Sequence, residues 1–174
     1  MRFCSIPLVL TAVVALTGFA SFAEEGAPSE FHRHHFGGLL AGSHNTEKNG
    51  FTAGGDYEFR FVRQFGVMAT GEYVGGGFRE DLFALTAVVH PWHGLKLQAG
   101  PGFEHELNRH EVAGEAGSEV LHHEATRKLL RIGGGYDIEV GKHMTIGPDI
   151  AVDFLKGEKV FVYGITIGLG FSGR

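Results

Sequence analysis

The segment 161–171 alternates strictly between large apolar residues and small or β-branched ones. One set of alternate positions holds Phe161, Tyr163, Ile165, Ile167, Leu169 and Phe171, and the other holds Val162, Gly164, Thr166, Gly168 and Gly170. Successive side chains of a β-strand point to opposite faces, so a period of two predicts a strand with one bulky apolar face. A helix, with its period of 3.6, would scatter the same side chains around its axis. This segment therefore predicts a β-strand that places its large side chains against an apolar environment.

Seven other short segments show the same alternation, separated by Gly, Asn, Asp and His. They lie at 35–43, 51–61, 67–74, 82–90, 95–104, 130–140 and 144–154. Tyr57, Phe59 and Phe61 alternate with Glu58 and Arg60, for example, so one face is apolar and the other is charged. Only residues 119–130 show a weak helical period. The chain is thus predicted to be all-β, with eight antiparallel strands in up-and-down order.

The first 23 residues have the pattern of a secretory signal peptide. Arg2 precedes an apolar run from Ile6 to Ala20, and the small-x-small site Ser21-Phe22-Ala23 follows. The run is too short for a membrane-spanning helix. We therefore expect 1–23 to be removed and 24–34 to form a flexible periplasmic leader before a barrel at 35–171 and a short tail at 172–174. Cys4, the single cysteine, is lost with the signal peptide.

The alternation permits two barrels of opposite polarity. A soluble lipocalin-like barrel would turn the apolar face inward, whereas a transmembrane barrel would turn it toward lipid. The 28 glycines among 174 residues favour the second, because small residues fit the narrow interior of an eight-stranded barrel. Aromatic residues also gather near the expected strand ends, as girdles at the two membrane interfaces would. They are Tyr73, Phe83, Phe103, Phe154 and Phe161 at one end, and Phe61, Trp92 and Phe171 at the other.

The connections differ in length between the two ends of the predicted barrel. A membrane barrel has short periplasmic turns and longer outer loops. We expect short turns at 62–66, 91–94 and 141–143, and longer loops at 44–50, 75–81, 105–129 and 155–160. The loop 105–129, rich in His and Glu, is long enough to bind a cation or to shield the barrel mouth as a solvated loop.

Taken together, the signal peptide, the eight alternating segments and the closing run 160–171 resemble the small outer-membrane β-barrel proteins of Gram-negative bacteria. The resemblance implies a location in the outer membrane, surrounded by its lipids, and we expect a monomer. In that family a terminal aromatic residue is read by the barrel-assembly machinery, a role that falls here to Phe171, although Ser172-Gly173-Arg174 follow it. The family includes adhesins, structural barrels and lipid-modifying enzymes. The net charge of −5 argues against a nucleic-acid partner.

The non-apolar face of the predicted strands is acidic. It carries eight acids, Asp56, Glu58, Glu72, Glu104, Asp137, Glu139, Asp149 and Asp153, and three bases, Arg60, Lys96 and Arg131. Charges in a narrow interior must be paired, hydrated or neutralised. We interpret them as a salt-bridged polar network that fills the lumen. A narrow cation-preferring passage is the alternative.

Pro101 and Pro148 fall within predicted strands, where each removes one hydrogen-bond donor from a ladder. We expect a bulge or local kink at each proline. A deliberate opening of the wall toward lipid is the alternative.

The chain has 11 histidines, a further unusual feature. His32, His34 and His35 lie close in sequence, and His90 and His93 come from the neighbouring turn, so these five are candidate ligands for zinc, copper or nickel. The chain offers no mature cysteine and no His-Glu-x-x-His motif to accompany them. Solvated interface histidines are the other interpretation.

The residues that an acyl hydrolase or acyltransferase requires are scarce. Its chemistry needs a serine with a histidine base in reach, and the serines after the signal peptide are Ser29, Ser43, Ser118 and Ser172. Ser43 and His44 are adjacent, so on a strand they point to opposite faces. Phosphate-binding and dinucleotide motifs are absent as well, and no cofactor is expected. The sequence therefore favours a non-catalytic barrel for envelope structure, surface interaction or limited solute passage, with a lipid-modifying enzyme or a soluble ligand-binding barrel as alternatives.

Overall fold

The computed structural model describes residues 31–110 and 121–172, with side chains for 31–106 and 126–172. Its strands are β1 (His34–His44), β2 (Asn49–Val62), β3 (Phe65–Val74), β4 (Glu80–Val89), β5 (Leu95–His110), β6 (Leu121–Tyr136), β7 (Ile138–Glu139), β8 (Met144–Leu155) and β9 (Glu158–Phe171). Among the described residues no helix is long and apolar enough to cross a membrane.

These strands close into a barrel. Every pairing is antiparallel, and β1 pairs with β9 along its whole length, from His34–Phe171 to His44–Phe161. The short strand β7 continues β6, because both pair with β8 in one register. The wall therefore has eight strands, and the predicted eight-stranded antiparallel barrel is confirmed.

The two ends of the barrel are distinguished by their connections. The terminal end holds the start of β1, the end of β9 and the turns 63–64, 90–94 and 140–143. The ribbon end holds the turns 45–48, 75–79 and 156–157. There β5 and β6 stay paired as far as His110–Leu121, beyond their last contacts with β4 and β8, so they leave the wall as a two-stranded ribbon.

The predicted loop 105–129 is wrong, because most of it belongs to strands. β5 runs to His110 and β6 begins at Leu121, which leaves 111–120 outside the described residues. The connections 45–48 and 156–157 are also shorter than predicted. Apart from the ribbon, the described turns are short at both ends, so the expected contrast in loop length fails for the other connections.

Pro101 interrupts one ladder without shifting its register. Pairing between β4 and β5 stops at Ala84–Gly102 and resumes in the same register at Ala87–Ala99. Pairing between β5 and β6 continues past Pro101, opposite Leu130. Pro101 therefore directs its nitrogen, which carries no hydrogen, toward β4, and the β4–β5 ladder loses one hydrogen bond.

Pro148 has the same effect on the other side of β6. Pairing stops at Gly135–Asp149 and resumes at Ile138–Ile146, which explains why the strand is divided into β6 and β7. Neither proline shifts the register, so the predicted bulge or local kink does not take the form of a bulge at either position. A register shift does occur in the β2–β3 ladder, between Arg60 and Val62.

The apolar side chains predicted to share one face lie on the outside of the barrel. Leu40, Leu85, Ile165 and Ile167 are more than half exposed in the isolated chain. Aromatic side chains lie nearer the ends, where Phe83 stacks on Phe103 with ring centroids 5.4 Å apart. An apolar belt thus surrounds the middle of the wall.

The interior is not polar throughout. A cluster of buried apolar residues fills the part nearer the ribbon end, and it includes Phe78, only 3% exposed, from the turn 75–79. The other members are Leu39, Val74, Leu82, Ala84, Leu129, Ala151, Leu155, Val160 and Val162. The polar network predicted to fill the lumen therefore shares the interior with this apolar layer.

Candidate functional site in the barrel interior

Arg131 lies at the centre of the interior between two carboxylates. Its Nε and Nη2 donate to Asp153 Oδ1 and Oδ2, both at 2.8 Å, and Nη1 and Nη2 donate to Glu72 Oε1 and Oε2 at 2.5 and 2.7 Å. All three residues are buried, with Arg131 only 2% exposed. Two bidentate pairs satisfy the planar guanidinium with fixed geometry. Arg131 thereby links the two sides of the lumen.

The barrel topology explains how these three residues meet. Asp153 on β8 stands directly opposite Arg131 on β6, so paired neighbours point into the same interior. Glu72 comes from β3, three strands away around the wall. A contact across the lumen is possible because an eight-stranded barrel is only as wide as the side chains that fill it.

Lys96 forms a second buried ion pair, toward the terminal end. Its Nζ lies 2.9 Å from Asp149 Oδ2. Gly135 stands between the two residues in the register of β5, β6 and β8. A Cβ at Gly135 would lie 2.7 Å from that same oxygen, so only glycine leaves room for the lysine to reach across.

A small cavity adjoins this pair. Its volume is about 10 Å³, which is room for about one water molecule. Asp56 and Thr70 line it, and among the described residues their buried atoms Oδ1 and Oγ1 have no hydrogen-bond partner. The polar lining suits one ordered water, and the cavity is too small for a larger solute.

At the terminal end, Glu58 holds a third group. Its carboxylate accepts hydrogen bonds from Arg60 Nε and Nη2, at 3.0 and 3.1 Å, and lies 2.7 Å from His90 Nε2. Glu58 is 1% exposed, so the carboxylate is enclosed by these two partners. This group joins β2 to the residue that follows β4.

The fourth group lies at the ribbon end, and of its members only Glu104 was predicted to face the lumen. Arg127 binds Glu104, as well as Glu80 at 3.3 Å and Glu158 at 3.1 Å, and Asn45 donates to Glu158. Sequence reasoning missed Arg127 because it assigned 105–129 to a loop. Thr126, Arg127 and Lys128 are all polar, so no alternation between polar and apolar residues marks this part of β6 as a strand. The next large apolar residue is Leu129.

Of the eleven residues predicted to line the lumen, all but Glu139 face the interior or its rim. Ten of them face the interior or its terminal rim, in the groups described above or beside them: Asp56, Glu58, Arg60, Glu72, Lys96, Glu104, Arg131, Asp137, Asp149 and Asp153. Asp137 is half-buried at the break between β6 and β7, where its N–H donates to Gly94 O at 2.7 Å. Glu139 is exposed on β7, and the structure does not bring it into the network.

The five candidate metal ligands are held apart. His34 Nδ1 lies 2.7 Å from Tyr57 Oη on the outside of the wall, whereas the buried His35 contacts Thr145 Oγ1 at 3.1 Å inside it. His32 contacts Ser172 Oγ and Lys142 O, His90 contacts Glu58, and His93 is exposed. In the described part of the chain no three His, Cys, Asp or Glu residues are placed to hold a metal ion. Strand alternation separates His34 from His35.

Ser43 and His44 do not form a nucleophile–base pair. The Ser43 hydroxyl is buried inside the barrel and hydrogen-bonds Thr52 Oγ1. His44 is exposed, and its Nδ1 lies 2.6 Å from Asn49 Oδ1. The two side chains point to opposite sides of β1, as adjacent strand residues do.

No protein-family model matches the sequence, and a search of curated proteins gives no match. Solved structures do match. The N-terminal β-barrel domain of Pseudomonas aeruginosa OprF aligns with a TM-score of 0.60 at 13% identity, over 82% of this chain and 100% of that one. Neisserial surface protein A gives 0.53 at 10% identity, over 79% and 96%. Ail, the attachment invasion locus protein of Yersinia pestis, gives 0.51 at 17% identity, also over 79% and 96%. At these identities the likeness concerns the fold: the chain has the eight-stranded barrel architecture found in small outer-membrane proteins.

Proposed function

We propose that the chain is a non-catalytic integral outer-membrane β-barrel whose lumen is closed by ion-paired side chains. Its role would be in envelope structure or surface interaction, with solute passage limited to water or small ions. The observation that carries this proposal is the inverted polarity of the barrel. Buried charges such as Arg131 and Glu72 lie inside, while bulky aliphatic side chains lie outside.

The outer surface supports a membrane environment. Leu40 on β1 pairs with Ile165 on β9 at mid-height, and these side chains are 70% and 55% exposed. In water such a continuous apolar belt would promote aggregation, whereas in a bilayer it matches the hydrocarbon core. A soluble barrel with an apolar ligand site would need its apolar side chains inside and its charged side chains outside.

The filled lumen supports a closed barrel. The four ion-paired groups and the apolar layer that includes Phe78 leave the cavity beside Asp56 with room for about one water. Solutes larger than water or a small ion would need side chains to move. The predicted pair Ser43 and His44 is divided between the two sides of β1. The described residues do show one serine–histidine contact, from His32 Nδ1 to Ser172 Oγ at 3.0 Å, but it lies at the terminal end, and His32 Nε2 contacts the Lys142 carbonyl and not a carboxylate.

The ribbon formed by β5 and β6 indicates which end of the barrel would face the outside of the cell. Outer-membrane barrels place their longer connections outside the cell and their short turns in the periplasm. The ribbon end carries the longest connection and would therefore face outward, with His34 and Phe171 at the periplasmic end. Phe171, 49% exposed at the end of β9, is then available to the barrel-assembly machinery.

A depth-dependent substitution tests the membrane proposal. Arginine at the bilayer midplane destabilises a transmembrane barrel by about 2–4 kcal/mol, but by about 0–1 kcal/mol near the interface. We expect Ile165→Arg, at mid-height, to be destabilising in lipid vesicles, and Val62→Arg, at the terminal end of β2, to be tolerated. Urea titrations followed by heat-modifiable gel mobility measure both variants.

Two results would contradict the proposal. One is recovery of the mature protein in the soluble periplasmic fraction. The other is equal stability of the two arginine variants, since a water-exposed wall would accept arginine at either height.

A further inference from the structure

Three lysines lie together on the outer wall at the ribbon end. We propose that Lys128, Lys156 and Lys159 bind the phosphate group of an anionic membrane lipid from the bilayer side. This inference rests on the proposed function, because it needs the wall to face lipid. All three side chains are exposed.

The register brings the lysines together. Leu129 on β6 pairs with Leu155 on β8, and Lys128 and Lys156 each lie one residue beyond that pair, toward the ribbon end. Lys159 on β9 stands opposite Phe154 on β8. Neighbouring strands are about 4.8 Å apart, so three adjacent strand ends place the lysines in one patch. The tight turn 156–157, with Gly157 at a φ of +86°, fixes the position of Lys156.

Strand alternation directs Lys128 and Lys159 outward. Leu129 and Val160 are buried in the interior, so their neighbours Lys128 and Lys159 point to the outside. Lys128 stands opposite Phe103, and Lys159 lies over the Phe154 ring with its Nζ 5.5 Å from the ring centroid. Phenylalanines at this height belong to the aromatic girdle at the membrane interface. The ammonium groups therefore lie at the level of the lipid headgroups, with their carbon chains along apolar surface.

The patch is basic, and its charge fits a phosphate. Among the outward-facing strand positions whose side chains the structure describes, which exclude 107–125, Asp, Glu, Lys and Arg occur only as Asp81, Lys128 and Lys159. Asp81 lies on β4, and His105 on β5 separates it from β6. The acids at the same height, Glu80, Glu104 and Glu158, bind Arg127 on the inner side of the wall. Lys128 and Lys159 thus face the headgroups, Lys156 is exposed in the adjoining turn, and no carboxylate with a described side chain neighbours the two strand lysines on the outer face. Lysine binds phosphate readily as a point charge.

The test uses the mature protein in nanodiscs of phosphatidylcholine with a minor fraction of phosphatidylglycerol. Native mass spectrometry of the gently released protein measures how far bound phosphatidylglycerol is enriched over its bulk fraction. We expect enrichment for the wild type and its loss in K128Q/K159Q. A basic residue near an anionic membrane surface contributes about fivefold in binding, so two substitutions should lower the affinity by about 25-fold.

The control is K48Q/R79Q, which also removes two positive charges at the ribbon end. Lys48 lies over the Phe78 ring and Arg79 lies in the turn 75–79, away from the lysine patch. We expect this variant to keep the enrichment, and K128R/K159R to retain it as well. Equal enrichment in K128Q/K159Q and K48Q/R79Q, or none in the wild type, would overturn the inference. Failure to insert into phosphatidylcholine alone would instead contradict the proposed function.

Discussion

The carboxylate of Glu72 accepts two hydrogen bonds from Arg131, at 2.5 and 2.7 Å, although the two residues are 59 positions apart in sequence. Ladder hydrogen bonds join only neighbouring strands. The Glu72–Arg131 pair joins β3 to β6 through the lumen, so it holds together parts of the wall that the sheet does not connect directly.

Removal of Arg131 should destabilise the barrel strongly. In Arg131→Met, Glu72 and Asp153 would remain buried without their cation, which costs about 3–5 kcal/mol for a broken buried pair. Urea titrations in lipid vesicles, followed by the fluorescence of Trp92, the single tryptophan, measure the loss. The control Arg131→Met/Glu72→Gln/Asp153→Asn removes all three charges and should recover most of the stability. If Arg131→Met alone were as stable as the triple variant, the uncompensated charges of Glu72 and Asp153 would not be the cause of the lost stability.

Opening the central group should increase conductance. We expect the wild type to show at most small ionic currents in planar bilayers, since Arg131 and the apolar layer occupy the lumen. Glu72→Ala/Arg131→Ala/Asp153→Ala should conduct and should prefer cations, because the remaining acids Asp56, Glu58 and Asp149 outnumber the bases that pair with two of them, Arg60 and Lys96. Reversal potentials under a salt gradient measure the preference. A silent triple variant would assign closure to the apolar layer around Phe78 instead.

Alanine at Gly135 should disturb the Lys96–Asp149 pair. A Cβ there would approach Asp149 Oδ2 to 2.7 Å and the Pro148 carbonyl to 2.8 Å, and such overpacking costs about 1–3 kcal/mol. Gly38 is the matched control, since a Cβ at that position would meet its nearest neighbour, the Ile167 carbonyl, at 3.9 Å. Urea titration of the two alanine variants should show a clear loss for Gly135→Ala and almost none for Gly38→Ala. Equal losses would mean that strand propensity, and not space beside the ion pair, explains the glycine.

Alanine at Pro101 should restore one ladder hydrogen bond. The new N–H at position 101 would point to the Leu85 carbonyl, which lies opposite in the uninterrupted register of β4 and β5. We expect that amide to be protected from hydrogen exchange in Pro101→Ala, as measured by NMR in micelles. Rapid exchange at that amide would show that the strands are too far apart there to bond.

Much of the fold could be predicted because a β-barrel sorts side chains with a period of two. The alternation at 161–171 and 57–61 identifies strands directly. It fails where both faces are polar, as in β6 before Leu129, where Thr126 and Lys128 face outward while Arg127 faces inward. There the hydrophobic contrast vanishes, and a strand cannot be told from a loop.

The sequence predicts which residues face the interior better than it predicts which of them contact one another there. Alternation separates Glu72 and Arg131 from lipid-facing positions, but it does not say which residues meet across the lumen. That depends on the stagger of the strands around the closed wall. For the same reason, the sequence could not show that Gly135 makes room for the Lys96–Asp149 pair or that Phe78 turns inward.

The pairing of β1 with β9 has a consequence for how the chain must mature. His34 lies beside Phe171, so the seam between these strands can form only after the entire barrel sequence has been synthesised and delivered. Until then, the outer edges of β1 and β9 remain unpaired, and such edges are open to pairing with strands of other chains. The adjacency also makes the barrel a natural substrate for circular permutation, with a linker joining the present ends and new ends opened in the turn 156–157.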